Sequence, residues 1–291
     1  MEKLQQALEK ARADRDRGGL RPPSASTPKS GAKPAAPGRA AKAAPVPADV
    51  TEDVWSELTT TEPDPARLTR NRVVTHSNSR EATPFDILRT KIVLQMRKHG
   101  WRRLAITSAT PTCGKSTIAA NLVFGLARQS DTRAVLLEVD LHNPGLRKIL
   151  GVEPARDVSR VLTGEVPFAE QALRLGDNVA LSLAKGRTTD PTRVLFSQQA
   201  EAVIEGIEAD YAPDLTIFDT APILVSDDTR AFLGQVDCAL IIACAEKTTI
   251  PQIDTCEREI AEHTNVLGVV LNQARFTASE DGYDYGYGYG Y

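Results

Sequence analysis

The sequence contains few cysteines, the residues that form disulfide bonds and bind structural zinc. The chain has no large excess of positive or negative charge, since its formal net charge is −3. This predicts no overall attraction to nucleic acid or to an anionic membrane surface. Cysteines are few and scattered, without the spacing of metal ligands, so we expect reduced thiols and neither a disulfide framework nor a zinc site. The four cysteines among the 291 residues are Cys113, Cys238, Cys244 and Cys256.

Long hydrophobic runs are absent as well. The longest, residues 239–245 and 266–271, have the length of strands and fall far short of the roughly 20 apolar residues that span a bilayer. The first 19 residues are charged throughout and lack the apolar segment of a secretion signal. We therefore expect a soluble, cytoplasmic protein that is recruited to the inner face of a membrane only through a partner.

Composition divides the chain into five segments. The first has apolar side chains on one helical face, and it could serve as a docking arm or be a dispensable tail. The second is rich in proline and alanine and offers too few large apolar side chains to offset the entropy of ordering. The segments are a short helix (1–20), a disordered linker (21–50), a transition segment that could pack on the domain edge (51–83), the main domain (84–275) and a disordered tail (276–291).

Short β-rich runs alternate with helical stretches in the main domain. A helix is predicted over residues 84–100, because Leu88, Ile92 and Met96 recur every four residues and Gly100 closes the end. The runs that follow are mostly continuously apolar, as in parallel strands covered by helices on both faces. This pattern predicts an α/β fold with a doubly wound, mostly parallel sheet, whose ligands bind at the carboxyl ends of the strands. The predicted strands are residues 103–108, 134–139, 179–183, 215–218, 238–243 and 267–271.

A phosphate-binding loop is predicted between the first of these strands and the helix after it. Residues 109–116 read A-T-P-T-C-G-K-S and fill the phosphate-loop pattern, except that Ala109 replaces the first glycine. Such a loop directs backbone N–H groups and a helix N-terminus at the phosphates of a nucleoside triphosphate, while its lysine neutralises charge and its hydroxyl binds magnesium. The predicted nucleotide contacts are Ala109, Thr110, Pro111, Thr112, Cys113, Gly114, Lys115, Ser116 and Thr117.

Two further strands end in carboxylates. The run L-L-E-V-D ends in Glu138 and Asp140, which flank Val139 and are expected to point to the same side. The run L-T-I-F-D ends in Asp219. Because a carboxylate beside bound phosphates can hold Mg²⁺ or its waters, we expect Asp140 and Asp219, with Ser116, to hold the metal. Asp219 could instead only cap the turn that follows it.

Together these motifs resemble the bacterial tyrosine kinases, the P-loop autokinases of exopolysaccharide and capsule export. The resemblance covers about residues 84–291 and depends on a set of motifs in a fixed order. It implies a P-loop NTPase fold of the deviant Walker type, with ATP and Mg²⁺, catalytic roles for Lys115, Glu138 and Asp140, and an adenine contact at Asn272, which could also be only a turn residue. The motifs are Arg89 in the first helix, Pro111 in the loop, Glu138 with Asp140, the D-T-A-P that starts at Asp219, and the tyrosine cluster of residues 283–291.

The tyrosine cluster supplies the implied phosphoryl acceptors. It holds five of the six tyrosines of the chain, separated by glycine or aspartate: Tyr283, Tyr285, Tyr287, Tyr289 and Tyr291. A phenol has a pKa near 10 and needs a base or tight positioning to accept a phosphoryl group at neutral pH; the resemblance implies Glu138 as that base. The implied partners are a membrane polysaccharide copolymerase as activator, further copies of the chain in a homo-oligomer, and a phosphatase that acts on the tail, with no nucleic acid. The tail could instead be an aromatic assembly segment.

The sequence also departs from the family's pattern. Glu138 stands where aspartate is preferred and His142 where arginine is usual, so catalysis could be slower, and Ala221 replaces a proline. The family's Glu-x-x-Arg-x-x-Arg oligomerisation motif is matched only at Arg89. Two alternatives therefore stay open: a partition-type ATPase switch, against which the absence of a second loop lysine at Thr110 argues, and an ATP-binding regulator of polysaccharide export without catalysis.

Overall fold

The computed structural model describes residues 54–274 of the chain. The predicted helix of residues 1–20, the linker of 21–50 and the tyrosine tail of 276–291 lie outside the described residues. Over the described range, no helix is both long enough and apolar enough to cross a membrane.

The described residues form an eight-stranded sheet in the order β1-β4-β5-β3-β6-β2-β7-β8. Neighbouring strands are parallel except for the antiparallel pair β4 and β5. The predicted doubly wound, mostly parallel sheet is therefore confirmed. The strands are β1 (Thr59–Thr60), β2 (Arg103–Ser108), β3 (Ala134–Glu138), β4 (Leu173–Leu175), β5 (Val179–Ser182), β6 (Leu215–Asp219), β7 (Cys238–Cys244) and β8 (Asn265–Asn272).

All six predicted strands are present, with ends that differ from the prediction by at most two residues. The sequence reading missed β1 and β4, which are two and three residues long. Segments of this length show no periodicity, and a strand of two exposed threonines has no apolar signal at all. These two segments are recognised as strands only because their backbones pair with neighbouring strands of the sheet.

Helices cover both faces of this sheet. The predicted first helix is α2, in which Ile92 and Met96 are buried and which ends at Gly100 in the left-handed conformation. The helices are α1 (Pro65–Arg70), α2 (Thr83–His99), α3 (Lys115–Ala127), α4 (Leu146–Leu150), α5 (Val158–Leu162), α6 (Phe168–Gln171), α7 (Pro191–Leu195), α8 (Gln198–Tyr211), α9 (Asp227–Phe232) and α10 (Ile250–Ala261), with 3₁₀ turns at Arg80–Ala82 and Leu233–Gln235.

Successive residues of the central strands enter two separate cores. In β2, Ala105 belongs to one hydrophobic cluster, whereas Leu104 and Ile106 belong to the other. The same alternation separates Val135 from Leu136 in β3. Because both faces are covered, these strands are apolar along their whole length and leave polar groups only at their ends.

Residues 54–83 pack onto the same cores. Trp55 is 2% exposed, and its Nε1 donates a hydrogen bond of 2.8 Å to the carbonyl oxygen of Tyr211. Its ring meets the Tyr211 ring edge to face, with centroids 5.8 Å apart. Leu68 and Val73 are buried in the second core. This segment therefore adds buried area and one strand to the sheet.

Replacement of Trp55 by alanine should destabilise the protein strongly, because it removes a buried ring and leaves the Tyr211 carbonyl without its donor. We expect a loss of about 3 kcal/mol in the free energy of unfolding, measured by urea denaturation. The matched control is Phe196→Ala, since this side chain is 53% exposed, and its effect should stay within about 0.5 kcal/mol. Equal effects of the two substitutions would show that residues 54–83 do not contribute to the folded core.

Candidate nucleotide-binding site

The loop between β2 and α3 has the backbone geometry of an anion-binding turn. Thr112 (φ 64°) and Gly114 (φ 89°) both adopt left-handed conformations, and α3 begins directly afterwards at Lys115. A Cβ atom at Gly114 would lie 2.3 Å from Nδ2 of Asn272, so only glycine fits here. The first turn of α3 has backbone N–H groups without intrahelical partners, and no side chain caps them. These groups are available to phosphate oxygens.

The end of β8 holds this loop in place. Nδ2 of Asn272 donates to the carbonyl oxygen of Cys113 at 2.8 Å, and Nε2 of Gln273 donates to that of Thr112 at 2.9 Å. The amide nitrogen of Asn272, predicted as an adenine contact, is thus engaged by the loop. Gln273 also lines the neighbouring pocket. Sequence reasoning missed Gln273. Its position next to Asn272, at the end of a predicted strand, could have indicated that it lies near the loop.

A pocket of about 600 Å³ lies in front of the loop at the carboxyl ends of β2, β3 and β6. It brings together many of the predicted site residues, whereas Ala109 and Cys113 are buried behind the loop. The Cys113 thiol donates to the carbonyl oxygen of Thr110 at 3.2 Å. The predicted residues that line the pocket are Pro111, Thr112, Gly114, Lys115, Ser116, Thr117 and Asp140, joined by His142, Asn143, Gly145, Ile149, Ala221, Pro222, Val225, Ser226 and Gln273.

Asp219 carries a buried carboxylate at the floor of this region. It has no exposed surface, and neither of its oxygens makes a well-formed hydrogen bond to the described residues. Burial raises the pKa of Asp219 to about 7, against the opposing effects of the Lys115 charge and the nearby Ser116 hydroxyl. A buried carboxylate without a partner is costly, and a cation would satisfy it.

The donors around Asp219 suit Mg²⁺. Asp140 is 7% exposed and lines the pocket, as does Ser116. Among the described residues, no group of three or more His, Cys, Asp or Glu side chains is arranged to hold a metal ion. Two carboxylates and one hydroxyl are the kind of set that Mg²⁺ uses when phosphate oxygens and waters supply its remaining ligands. The residues present therefore fit the predicted ion.

Glu138 does not join this set. It has no exposed surface, and its side chain accepts three backbone hydrogen bonds: Oε1 from the N–H groups of Gly145 (2.7 Å) and Leu146 (2.8 Å), and Oε2 from that of Ala184 (2.9 Å). Burial, the largest influence, raises the pKa of its carboxyl group. These contacts place Glu138 beneath two loops instead of in the pocket, and they give no support to a role as the base.

The expected alternation fails here because β3 ends at Glu138. The next two residues bend, so that the N–H groups of Val139 and Asp140 both donate to the carbonyl oxygen of Asp219 at 2.9 Å. Period-two geometry applies only within a strand. Glu138 and Asp140 therefore point to different surroundings, and this could not be read from their spacing.

His142 lies at the side of the pocket and is held by a buried carboxylate. Its Nε2 is 2.5 Å from Oδ2 of Asp228, which also accepts a hydrogen bond from the Ser226 hydroxyl at 3.3 Å and one from that of Thr192. The imidazole side chain remains 55% exposed. Sequence reasoning noted His142 only as a departure from the family pattern and missed Asp228, which is 86 residues away along the chain.

Comparison with known proteins places these features in context. No protein-family model matches the chain. The tyrosine-protein kinase YwqD of Bacillus subtilis is 29% identical over 226 residues, which are 76% of this chain and 93% of that protein. The putative tyrosine-protein kinase AmsA of Erwinia amylovora is 26% identical over 199 residues, which are 67% of this chain and 27% of that protein.

The chain is similar in sequence to bacterial tyrosine-protein kinases. It spans nearly the whole of one such relative but only about a quarter of another. This agrees with the resemblance expected from the order of the motifs.

Solved structures support the same fold. The kinase domain of the Escherichia coli tyrosine kinase Etk aligns with a TM-score of 0.59 at 22% identity, over 68% of this chain and 79% of that one. The chimerical protein CapA2B2 aligns with a TM-score of 0.63 at 20% identity, over 77% and 99%. A cobyrinic acid a,c-diamide synthase of Mycobacterium smegmatis with an ATP analogue and magnesium bound aligns with a TM-score of 0.51 at 21% identity, over 62% and 78%. At these identities the likeness shows the fold of a P-loop protein.

The buried carboxylate predicts a pH-dependent cost to stability. The pKa of Asp219 is 3.8 ordinarily and about 7 in the folded protein, so the folded state holds the proton more tightly and stability falls as the pH rises between these values. Asp219→Asn removes this effect. We expect the variant without nucleotide to gain stability over the unaltered protein, by about 2 kcal/mol more at pH 8 than at pH 5, in urea denaturation.

The same variant should lose the stabilisation that Mg²⁺ with ATP gives to the unaltered protein. Asp177→Asn is the control, because this carboxylate is exposed and should change neither quantity. A gain that is independent of pH would show that Asp219 is ionised without penalty in the folded protein.

Proposed function

We propose that this chain is an ATP-dependent protein-tyrosine autokinase, which transfers the γ-phosphoryl group of ATP to tyrosines 283–291 of another copy. The observation that carries the proposal is a pocket lined by Lys115 and Asp140, with the buried Asp219 carboxylate close enough to feel the Lys115 charge, in a chain with five clustered tyrosines. The bacterial tyrosine kinases named above support the assignment of tyrosine as the acceptor.

In the proposed reaction, the tyrosine oxygen attacks the γ-phosphorus, the bond from that phosphorus to the bridging oxygen of ADP breaks, and the tyrosine proton passes to a base. Lys115 and the N–H groups at the start of α3 hold the phosphates and neutralise charge. Ser116, Asp140 and Asp219 would hold Mg²⁺, which would supply further charge neutralisation. The phosphate loop thus positions the donor.

We assign proton acceptance to His142. Apart from Lys115, the titratable side chains that line the pocket are Asp140 and His142, and Asp140 is assigned to the metal. Asp228 orients the imidazole through Nε2, which leaves Nδ1 as the free acceptor when Nε2 carries the proton. This replaces Glu138, whose oxygens are both engaged by backbone N–H groups.

The biological setting is part of the proposal. We infer that the kinase regulates exopolysaccharide or capsule polymerisation and export, acts as a homo-oligomer at the inner face of the membrane, and has a membrane polysaccharide copolymerase as its activator. A phosphatase would reset the tail. Phosphate on several neighbouring tyrosines would repel and loosen the oligomer, since each phosphotyrosine adds about −1.5 to −2 charges. Arg89, predicted in the oligomerisation helix, contacts Asp86 and the Gly125 carbonyl oxygen within its own chain, each at 2.8 Å.

Transfer between copies can be tested with two complementary variants. One carries phenylalanine at all five tail tyrosines, and the other carries Lys115→Ala with an intact tail. Neither should label itself with γ-³²P-ATP, whereas a mixture should label the tail of the Lys115→Ala chain. Loss of Lys115 should lower the transfer that a chain catalyses at least about 100-fold. ATP hydrolysis without any tyrosine label would instead indicate an ATPase switch.

Substitution of His142 by glutamine should lower kcat for tyrosine transfer by about 10²-fold, because an amide cannot take up the proton. KM for ATP should stay within about twofold, since the phosphates are held by the loop. Glu138→Asp is the comparison, and it should act on stability more than on kcat. If His142→Gln leaves kcat unchanged, the base lies elsewhere.

A further inference from the structure

A second, smaller pocket beside the nucleotide pocket is strongly basic. Its volume is about 130 Å³, and four of its eight lining residues are cationic whereas none is acidic. The lining residues are Asn143, Pro144, Arg147, Lys148, Ala184, Lys185, Gly186 and Arg187. The overall charge of the chain is slightly negative, so this concentration of positive charge is local.

The basic pocket adjoins the proposed catalytic site. Asn143 lines both pockets, and its Oδ1 accepts a hydrogen bond of 3.3 Å from Nη2 of Arg187. His142, assigned above as the base, directly precedes Asn143 in the chain. A peptide bound in the basic pocket would therefore lie next to the position of the transferred phosphoryl group.

Glu138 holds the two walls of the basic pocket together. One wall is the start of α4, where Gly145 and Leu146 donate to Oε1 of Glu138 just before Arg147 and Lys148. The other wall follows Ala184, which donates to Oε2. A glutamate reaches one methylene further than an aspartate would, and all its bonds go to these two segments. These hydrogen bonds hold together the two backbone segments that carry the cations.

Three of the four cations are without acidic partners in the described part of the chain. Arg147 pairs with Glu153, and Nζ of Lys185 lies 3.4 Å from the carbonyl oxygen of Ala155. Lys148 and Arg187 are exposed and make no ion pair to residues 54–274. Their positive charges are therefore available to an anionic ligand, although Arg187 also donates to Asn143.

We propose that the basic pocket docks the acidic start of the tyrosine tail of a second copy of this chain. Residues 280–285 read E-D-G-Y-D-Y, so that Glu280, Asp281 and Asp284 surround Tyr283. Their three carboxylates complement the cations of the pocket, and binding there presents the tyrosines to the adjoining nucleotide pocket. This inference rests on the proposed autokinase function and adds the determinant of acceptor recognition.

The test measures tail phosphorylation as a function of acceptor concentration. The acceptor is the full chain with Lys115→Ala, and the enzyme is the full chain with its five tail tyrosines replaced by phenylalanine. Adding Lys148→Glu and Arg187→Glu to the enzyme should raise KM for the acceptor about tenfold, while kcat and KM for ATP stay within about twofold. The KM of the enzyme without these reversals should rise with salt, and that of the reversed enzyme should not.

A charge exchange gives the sharper result. An acceptor with Glu280→Lys, Asp281→Lys and Asp284→Lys should be poor for the original enzyme and restored with the charge-reversed enzyme. The control enzyme carries Arg102→Glu and Arg258→Glu, two exposed cations that lie just before β2 and on α10, and should behave like the original.

The outcomes separate the two proposals. If the original enzyme transfers no phosphate to the tail, the autokinase proposal fails, and docking with it. If transfer occurs but charge reversal leaves the KM for the acceptor unchanged, docking alone is overturned. If charge reversal raises only the KM for ATP, docking is also overturned, because the cations would then bind the nucleotide phosphates.

Discussion

Burial of the Asp219 carboxylate is the constraint on which the rest of the site depends. The side chain lies at the end of a central strand between β2 and β3, with no exposed surface and no well-formed hydrogen bond to the described residues. Desolvation of this kind destabilises the ionised form, and Lys115 offsets it only in part, since the pKa remains about 7. The folded sheet therefore holds a group that a cation would satisfy, beside a loop whose N–H groups are available to phosphate oxygens.

The two sides of this edge are fixed by different polar contacts. On one side, Asn272 and Gln273 bind carbonyl oxygens of the phosphate loop, so the loop geometry depends on the last strand of the sheet. On the other side, Glu138 binds three backbone N–H groups of two loops. Glu138 is buried and Asn272 half-buried, whereas Gln273 is exposed, and all three bind backbone groups of the loops around the pocket. Both oxygens of the Glu138 carboxylate, which the sequence predicts as catalytic, are thus bound to backbone N–H groups.

The similarity to bacterial tyrosine kinases is clearer in the fold than in the sequence identity. The relatives compared are below 30% identical, yet the Etk kinase domain aligns with a TM-score of 0.59. Side chains in the two cores can change while volume and pattern are kept, whereas phosphate-binding groups at the strand ends must keep their positions. Glu138 and His142 differ from the family pattern. In this chain Glu138 accepts a hydrogen bond from the Ala184 N–H group, and His142 has a buried partner in Asp228.

The sequence by itself determined the sheet, its long strands and the phosphate loop. Strands buried on both faces are continuously apolar, and the loop requires glycine, lysine and a hydroxyl at fixed spacing. Both features can therefore be recognised from residues that are close together in the sequence. Only the tertiary structure decided which carboxylates face the pocket. Asp140 lines it, whereas Asp219 is buried without a hydrogen-bond partner among the described residues. Glu138 binds backbone N–H groups, among them that of Ala184, because β3 ends at Glu138 and the chain leaves the strand there. His142 with Asp228, and the basic pocket of Arg147 and Arg187, likewise join residues from distant segments. Such contacts depend on how loops pack, and local sequence patterns do not encode them.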